Sequence, residues 1–422
     1  MCFNYISLKE LVNSANTGAD AIKRAPIVEE DTGLRCIRIG DISNNRPFNE
    51  WGFTRAEDTV INKFLLKKDD ILVARTGNTI GVVKYIDKDL NSLYNNGLIR
   101  LKVNQNICPK YIYYNLISNN FKQYIYGISA GTSTQPNMKI NHMLDYKVMD
   151  IPYNEQKAIV DILSSLDDKI ELNNQMNETL EEMAQALFRR WFIDFEFPNE
   201  EGQPYKSSGG EMVESELGMI PKGWKVKKIQ DVSVSANTGA DAIRRAPIVE
   251  HDTGIKCVRV GDFTNKRNYD AWGFCQITEE DYKKFQLKEN DILITRTASI
   301  GLIKFVLEDI NAVFNNGIIR LRVFDEIAMY VNATLNSVDF TNHINKITGE
   351  TSTRPNMKVN YVLNYKFVVP NEKINNHFIN IYSKILRKID YISKENQQLA
   401  LIRDTLLPKL MSGEIRVSDV ES

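Results

Sequence analysis

The 422 residues carry 53 Lys and Arg against 54 Asp and Glu, with 43% hydrophobic and 25% charged residues, ordinary for a soluble globular chain of two or three domains. No apolar run approaches the roughly 18 residues of a membrane span, and the opening MCFNYISLKELVNSANTG lacks a basic region followed by an apolar core, so neither a membrane nor a secreted protein is expected. The five cysteines, Cys2, Cys36, Cys108, Cys257 and Cys275, form no CxxC pair, which argues against a zinc site or a disulfide framework and for the reducing cytoplasm.

The first block, residues 1–153, reads as mixed α and β. Cys36–Asp41, Ile71–Arg75, Gly81–Ile86 and Leu98–Val103 are β-branched runs bounded by turn residues. Asn96-Gly97 is a turn dipeptide before a strand, and Lys110 to Gly127 is expected to form one helix stopped by Gly127. The block closes on Pro152. Asn154 is then the expected N-cap of a long helix, with Glu155 in its first turn.

From Asn154 to Phe192 there is neither Pro nor Gly, so nothing breaks a helix. Ile159, Leu163, Leu166, Ile170, Leu180, Ala184 and Leu187 step by fours and threes, the seam of a coiled coil, and Asn173 and Asn177 fill the gap. Residues 154–197 form this rod. Residues 198–222, polar and containing Gly, Ser and Pro, read as a linker.

Residues 223–370 repeat the first block. SANTGADAIKRAPIVEEDTGLRCIRIGD from Ser14 returns as SANTGADAIRRAPIVEHDTGIKCVRVGD from Ser235, and NNGLIRLKV from Asn95 returns as NNGIIRLRV from Asn315. TSTQPNMKIN from Thr132 returns as TSTRPNMKVN from Thr351. Residues 371–422 supply a second rod, N-capped by Asn371, with Ile374, Phe378, Ile381, Ile385, Ile389, Ile392, Asn396, Leu399, Ile402 and Leu406 on its seam; Pro408 is expected to end it. The fold class is α+β: two duplicated mixed α/β domains separated by two long helices forming an antiparallel coiled coil. Net charge is +4 over residues 1–153, −10 over 154–221, +4 over 222–370 and +1 over 371–422. A domain at +4 is far from strongly basic, so charge alone assigns no partner.

No phosphate loop, dinucleotide turn, HExxH or GxSxG is present, and the four histidines neither cluster nor recur between copies. No catalytic residue, metal site or cofactor site is assigned. Three polar loops kept in both copies are the candidates for DNA contact. The first holds Asn16, Lys23 and Arg24, with Asn237, Arg244 and Arg245; its cations either reach phosphates or are plain surface charges after a Gly turn. The second holds Arg75, Thr76 and Asn78, with Arg296, Thr297 and Ser299; its Arg either reads guanine or pairs with Asp70 or Asp291. The third holds Thr132, Ser133, Thr134, Gln135, Asn137 and Lys139, with Thr351, Ser352, Thr353, Arg354, Asn356 and Lys358; it either touches backbone and base edges or caps a short helix begun by Pro. Trp51 and Trp272 either stack on a base or pack in the core, and Cys36 and Cys257 read as core.

The order domain, rod, linker, domain, rod, with DIPYNEQKAIVDILSSLDDKI, ALFRRWFIDFEFP, IPKGWKVKKIQDV and LLPKLMSGEIRV, resembles the specificity subunit of type I restriction–modification systems over essentially the whole chain. The resemblance departs at the start, where MCFNYISLKELV replaces a GW-type lead-in. It implies a non-catalytic subunit whose blocks are target recognition domains, each reading half of a bipartite site in double-stranded DNA. It also implies that the rods set the spacing and dock two methyltransferase subunits, and that endonuclease/translocase subunits complete the assembly. S-adenosylmethionine, ATP and Mg²⁺ then belong to those partners, with no cofactor in this chain. Near-identical domains imply a nearly palindromic interrupted site, with departures at Gln135/Arg354, Glu30/His251 and Asn45/Lys266. Two other readings stand beside it: a subunit of a methylation-only or type IIB-like system, and a coiled-coil scaffold with twin protein- or RNA-binding domains.

Overall fold

The computed structural model describes residues 4–20, 22–77, 79–129, 137–241, 243–349 and 356–417. It divides into two compact units, Met1–Glu171 with Gln397–Ser422, and Leu172–Asn396.

In the first unit, strands Val12–Thr17, Leu98–Val103, Ile71–Ala74 and Val83–Tyr85 form an antiparallel sheet in that spatial order. A second sheet sets Ile27–Val28, Phe53–Thr54, Arg35–Ile37 and Ser92–Tyr94 side by side, with the last pair parallel. All four residues of Ile71–Ala74 are buried. Ile71 and Val73 face one core while Leu72 and Ala74 face another, as the period-two alternation of a strand requires. The second unit repeats the first sheet with Ser233–Thr238, Ile318–Val323, Ile292–Thr295 and Ile303–Phe305. Even the irregularity of register recurs, between Val12 and Ser14 and between Ser233 and Ser235. Trp51 and Trp272 are buried at 2% and 4% exposure, each indole N–H donating to a backbone carbonyl, so both pack in the core and neither offers a face to a base.

The long helices span Tyr153–Phe188 and Glu372–Ser412. In the first unit Ile159, Val160 and Leu163 share a core with Leu407, Leu410 and Met411, and Arg403 meets Asp167 at 2.8 Å. In the second unit the Asn173 amide donates to Glu395 and Asn396 at 2.7 and 2.8 Å, and Asn177 donates to Ser393 at 3.1 Å. Rising numbers on one helix meet falling numbers on the other in both units, so the pair is antiparallel. Every expected seam position of the first helix is buried or half-buried.

Four local expectations are corrected. Tyr153 already opens the first long helix, the N–H groups of Glu155 and Gln156 bonding to the Pro152 carbonyl, so Asn154 is not its cap. Asn371 does cap the second, accepting the Ile374 N–H at 3.0 Å. Pro408 lies inside that helix rather than ending it. Burial of Leu407, Leu410 and Met411 outweighs the roughly 3 kcal/mol that an interior Pro costs, and the chain turns at Gly413, φ +73°. Ile402 is exposed at 46%; Arg403, ion-paired to Asp167, takes the seam there. Finally, residues 110–127 are not one helix but parts of two, Pro109–Ile117 and Asn119–Ser129. They break at Ser118, whose hydroxyl accepts the Phe121 N–H and so caps the second.

The polar segment after the first long helix is also folded. Met212–Ser215 and Gly218–Pro221 form a hairpin, and Phe197 stacks on Trp224 with ring centroids 4.9 Å apart.

Candidate nucleic-acid interface

The polar loops are held together by one set of backbone hydrogen bonds. Gly18 follows the strand that carries Asn16, and a Cβ on it would lie 2.1 Å from the Tyr94 carbonyl oxygen. The glycine therefore serves the approach of the protein's own backbone. The Gly18 and Ala19 N–H groups donate to Leu98 and Tyr94 at 3.2 and 2.8 Å, and Asn96 returns a bond to Ala19 at 2.8 Å. The Arg75 N–H donates to Gly97 at 2.9 Å, and the Arg75 carbonyl accepts from Met138 at 2.8 Å. The first loop, the Asn95–Gly97 turn, the Arg75 loop and the segment entering at Asn137 thus form one continuous surface.

The second domain repeats all five bonds. Gly239 donates to Ile318 at 3.3 Å, Ala240 to Phe314 at 2.9 Å and Asn316 to Ala240 at 2.8 Å. Arg296 donates to Gly317 and Met357 to Arg296, both at 2.9 Å. A Cβ on Gly239 would again lie 2.1 Å from a carbonyl oxygen.

Asp20 organises the first loop. Its carboxylate accepts the N–H groups of Lys23 and Ile22 at 2.8 and 3.0 Å, and these bonds hold its pKa below the usual carboxylate value. Asp241 does the same with Arg244 and Ile243. The turn displays Lys23 and Arg24, or Arg244 and Arg245, in solvent. It also displays Ile22 and Ile243, 82% and 83% exposed.

Arg75 and Arg296 do not form the ion pairs weighed as an alternative for them. Asp70 is taken by Arg100 at 3.5 Å and Lys102 at 3.9 Å, and Asp291 by Arg322 through two bonds of 2.7 Å. Arg75 donates instead to the Asn137 side chain at 3.0 Å. Arg296 donates to the Met357 and Asn316 carbonyls at 3.1 and 3.2 Å. Thr76 forms a backbone bridge with Asn137, and Thr297 and Ser299 are half-buried. Asn16, Lys139, Asn356 and Lys358 are exposed. Asn237 is half-buried, with an Oδ1 that has no hydrogen-bond partner among the described residues. Asn78, Thr132, Ser133, Thr134, Gln135, Thr351, Ser352, Thr353 and Arg354 lie outside the described residues.

Sequence reasoning passed over two features of this surface. Asn96 and Asn316 are exposed at its centre but read only as turn formers. Ile22 and Ile243 sit at its tip and were not singled out; the signal was an isoleucine repeated in both copies just before two cations. Among the described residues no group of His, Cys, Asp and Glu is placed to hold a metal ion. No helix among them is long and apolar enough to cross a membrane.

The family model for the type I restriction modification DNA specificity domain matches twice, over residues 3–182 and 221–401. The chain belongs to the type I restriction–modification DNA specificity family. Each match spans one repeat and part of the long helix that follows it, so the two blocks are the two target recognition domains of a type I specificity subunit. The chain is 29% identical over 343 residues to the MjaIX specificity subunit of Methanocaldococcus jannaschii, covering 75% of this chain and 72% of that one. It is 26% identical over 439 residues to the HindI specificity subunit of Haemophilus influenzae, covering 90% and 94%. The crystal structure of a type I system S subunit from M. genitalium shares the fold, with TM-score 0.60, 17% identity and coverage of 97% and 96%. The four-segment surface, with its five backbone bonds, is present in both of the repeated domains.

Proposed function

We propose that each target recognition domain reads one half of a bipartite site in double-stranded DNA through its four-segment surface, and that the antiparallel helices set the spacing between halves. The observation that carries this is the duplicated backbone frame, which presents Arg, Asn, Lys and Thr side chains from the same places twice. Such side chains supply the donors and acceptors that base edges and phosphates require, and an exposed isoleucine suits a thymine methyl group. The chain is a non-catalytic subunit in this reading, acting in the cytoplasm. Two methyltransferase subunits dock on the helices, and endonuclease/translocase subunits join the full complex. S-adenosylmethionine, ATP and Mg²⁺ are held by those partners.

Because the frame is duplicated and the helices antiparallel, the half-sites are nearly identical and inverted. Departures from symmetry follow Gln135/Arg354, Glu30/His251 and Asn45/Lys266. A salt titration of the chain with its methyltransferase subunits on duplexes carrying the site tests the class of partner. Affinity should fall linearly on a log–log plot as salt rises. Salt-insensitive binding to a protein, with no duplex binding, would favour the scaffold reading. Deleting one heptad from each long helix should shorten the tolerated spacer; an unchanged spacer would count against the ruler.

A further inference from the structure

The repeat aligns the joint between each domain and the long helices residue by residue. Ile159 and Leu163 stand where the second unit has Phe378 and Tyr382, and Leu407 and Leu410 stand where it has Phe188 and Trp191; all are buried. One trio departs from this apolar pattern. In the first unit Tyr114 lies on helix Pro109–Ile117, Asp167 on the first long helix and Arg403 on the second. The Tyr114 hydroxyl donates to Asp167 Oδ2 at 2.7 Å, and Arg403 Nη1 donates to Asp167 Oδ1 at 2.8 Å. One carboxylate thus ties the domain to both long helices. Tyr114 is buried, and its burial and the bond to Asp167 raise the hydroxyl pKa, so it stays a donor. Arg403 is oriented by two further bonds to Asp404 on its own helix, of 2.9 and 2.8 Å.

The matching residues of the second unit are Ala333, Leu386 and Ala184, in or against its apolar core. That unit fixes its joint with rings instead: Phe188 and Phe192 pack on Tyr330 with centroids 6.0 and 4.7 Å apart. The first unit has the adaptable Leu407 and Met411 in their places. The joint therefore closes without a carboxylate in one unit and is built around one in the other. A half-buried ion pair adds little stability over apolar residues of similar volume, but its hydrogen bonds hold only within a narrow range of distance and angle, whereas apolar contact is non-directional.

We infer that Asp167 is a positioning residue: it fixes the first domain against both long helices, and so limits the spacer lengths that the chain accepts between half-sites. The inference rests on the proposed reading of a bipartite site by two domains held at a set separation. One base pair of spacer moves a half-site by about 3.4 Å and turns it by about 35°. A first domain held at one angle rejects that error. A first domain seated on aliphatic contacts alone turns to meet it, while the base edges it reads stay the same.

The test uses the full chain with its methyltransferase subunits and fluorescent duplexes that carry both half-sites with the native spacer, or with one base pair more or fewer. In one variant, Asp167→Leu with Arg403→Met and Tyr114→Phe, the joint keeps its volume and becomes apolar. In the other, Tyr114→Phe alone, one bond to Asp167 is lost and the ion pair stays. Thermal melting checks that both fold. The wild type should bind the altered spacers about 100-fold more weakly than the native one, the apolar variant at most about tenfold more weakly, and the single variant in between. The half-site sequence recognised should not change, and a merely structural role would leave the spacer profile as it is. A wild-type spacer profile in the folded apolar variant overturns the role of Asp167 alone; should that variant not fold, the single variant decides by the same profile. A wild-type complex that binds no duplex, or binds a lone half-site as tightly as the whole site, overturns the bipartite reading as well.

Discussion

The two recognition domains agree in their frame to within 0.1 Å at each of five backbone hydrogen bonds, yet differ where side chains meet solvent. The first ties Arg55 to Glu30, where the second has Gln276 and His251; the second ties Arg245 to Asp281, where the first has Arg24 and Val60. The Arg of the second loop bonds a side chain, Asn137, in one domain and carbonyls in the other. Duplication has kept the geometry that aims the loops and released the chemistry at their tips. That division separates changes that unfold a domain from changes that alter what it binds.

The sharpest way to break the comparison is at the shared glycine. Gly18→Ala or Gly239→Ala drives a methyl group into a carbonyl 2.1 Å away, and each should cost about 2–3 kcal/mol by thermal or urea unfolding. Equal losses in the two domains would confirm a common frame; an unchanged melting temperature in either would refute it.

Much of this frame could be read from residues alone. The seam from Ile159 to Leu187 predicted the buried face because a long helix without Pro or Gly has one periodicity to obey. Cys36 and the strand Leu98–Val103 were legible because apolar, β-branched runs bounded by turn residues mark buried strands, whereas the burial of Trp51 was left open between core and base stacking. Pro408 was misread because propensity is local, while burial of Leu407 and Leu410 is tertiary. The convergence of Arg75, Asn96 and Gly18 was invisible, since it rests on hydrogen bonds between segments 20 to 80 residues apart.

Next in size is the helix seam. Asn173→Ala removes the donor that satisfies Asn396 and Glu395, and should cost about 1–2 kcal/mol by unfolding. No loss would mean that this polar layer does not hold the helices in register.

A smaller effect should distinguish the domains at one turn. Ala298 holds φ +58° where the first domain has Gly77 at φ +79°. Ala298→Gly should stabilise the chain by about 1 kcal/mol and Gly77→Ala should destabilise it similarly; the same sign for both substitutions would contradict the shared turn.

The least effect is confined to the Asx turns. Asp20 and Asp241 have folded pKa values below the ordinary 3.8. Their contribution to loop order is therefore complete above about 3.8 and is lost as pH falls through the lowered values. Carboxyl chemical shifts followed from pH 6 to 2 should place both midpoints below 3.8; a midpoint at or above it would remove the backbone bonds as their cause.

The central claim is that two copies of one reading surface meet one duplex in inverted orientation. Mapping methylated adenines across a genome, in cells with and without this chain, measures that directly. The account predicts an interrupted motif whose halves are near-identical inverted copies, present only with the chain; two unrelated half-sites would contradict it.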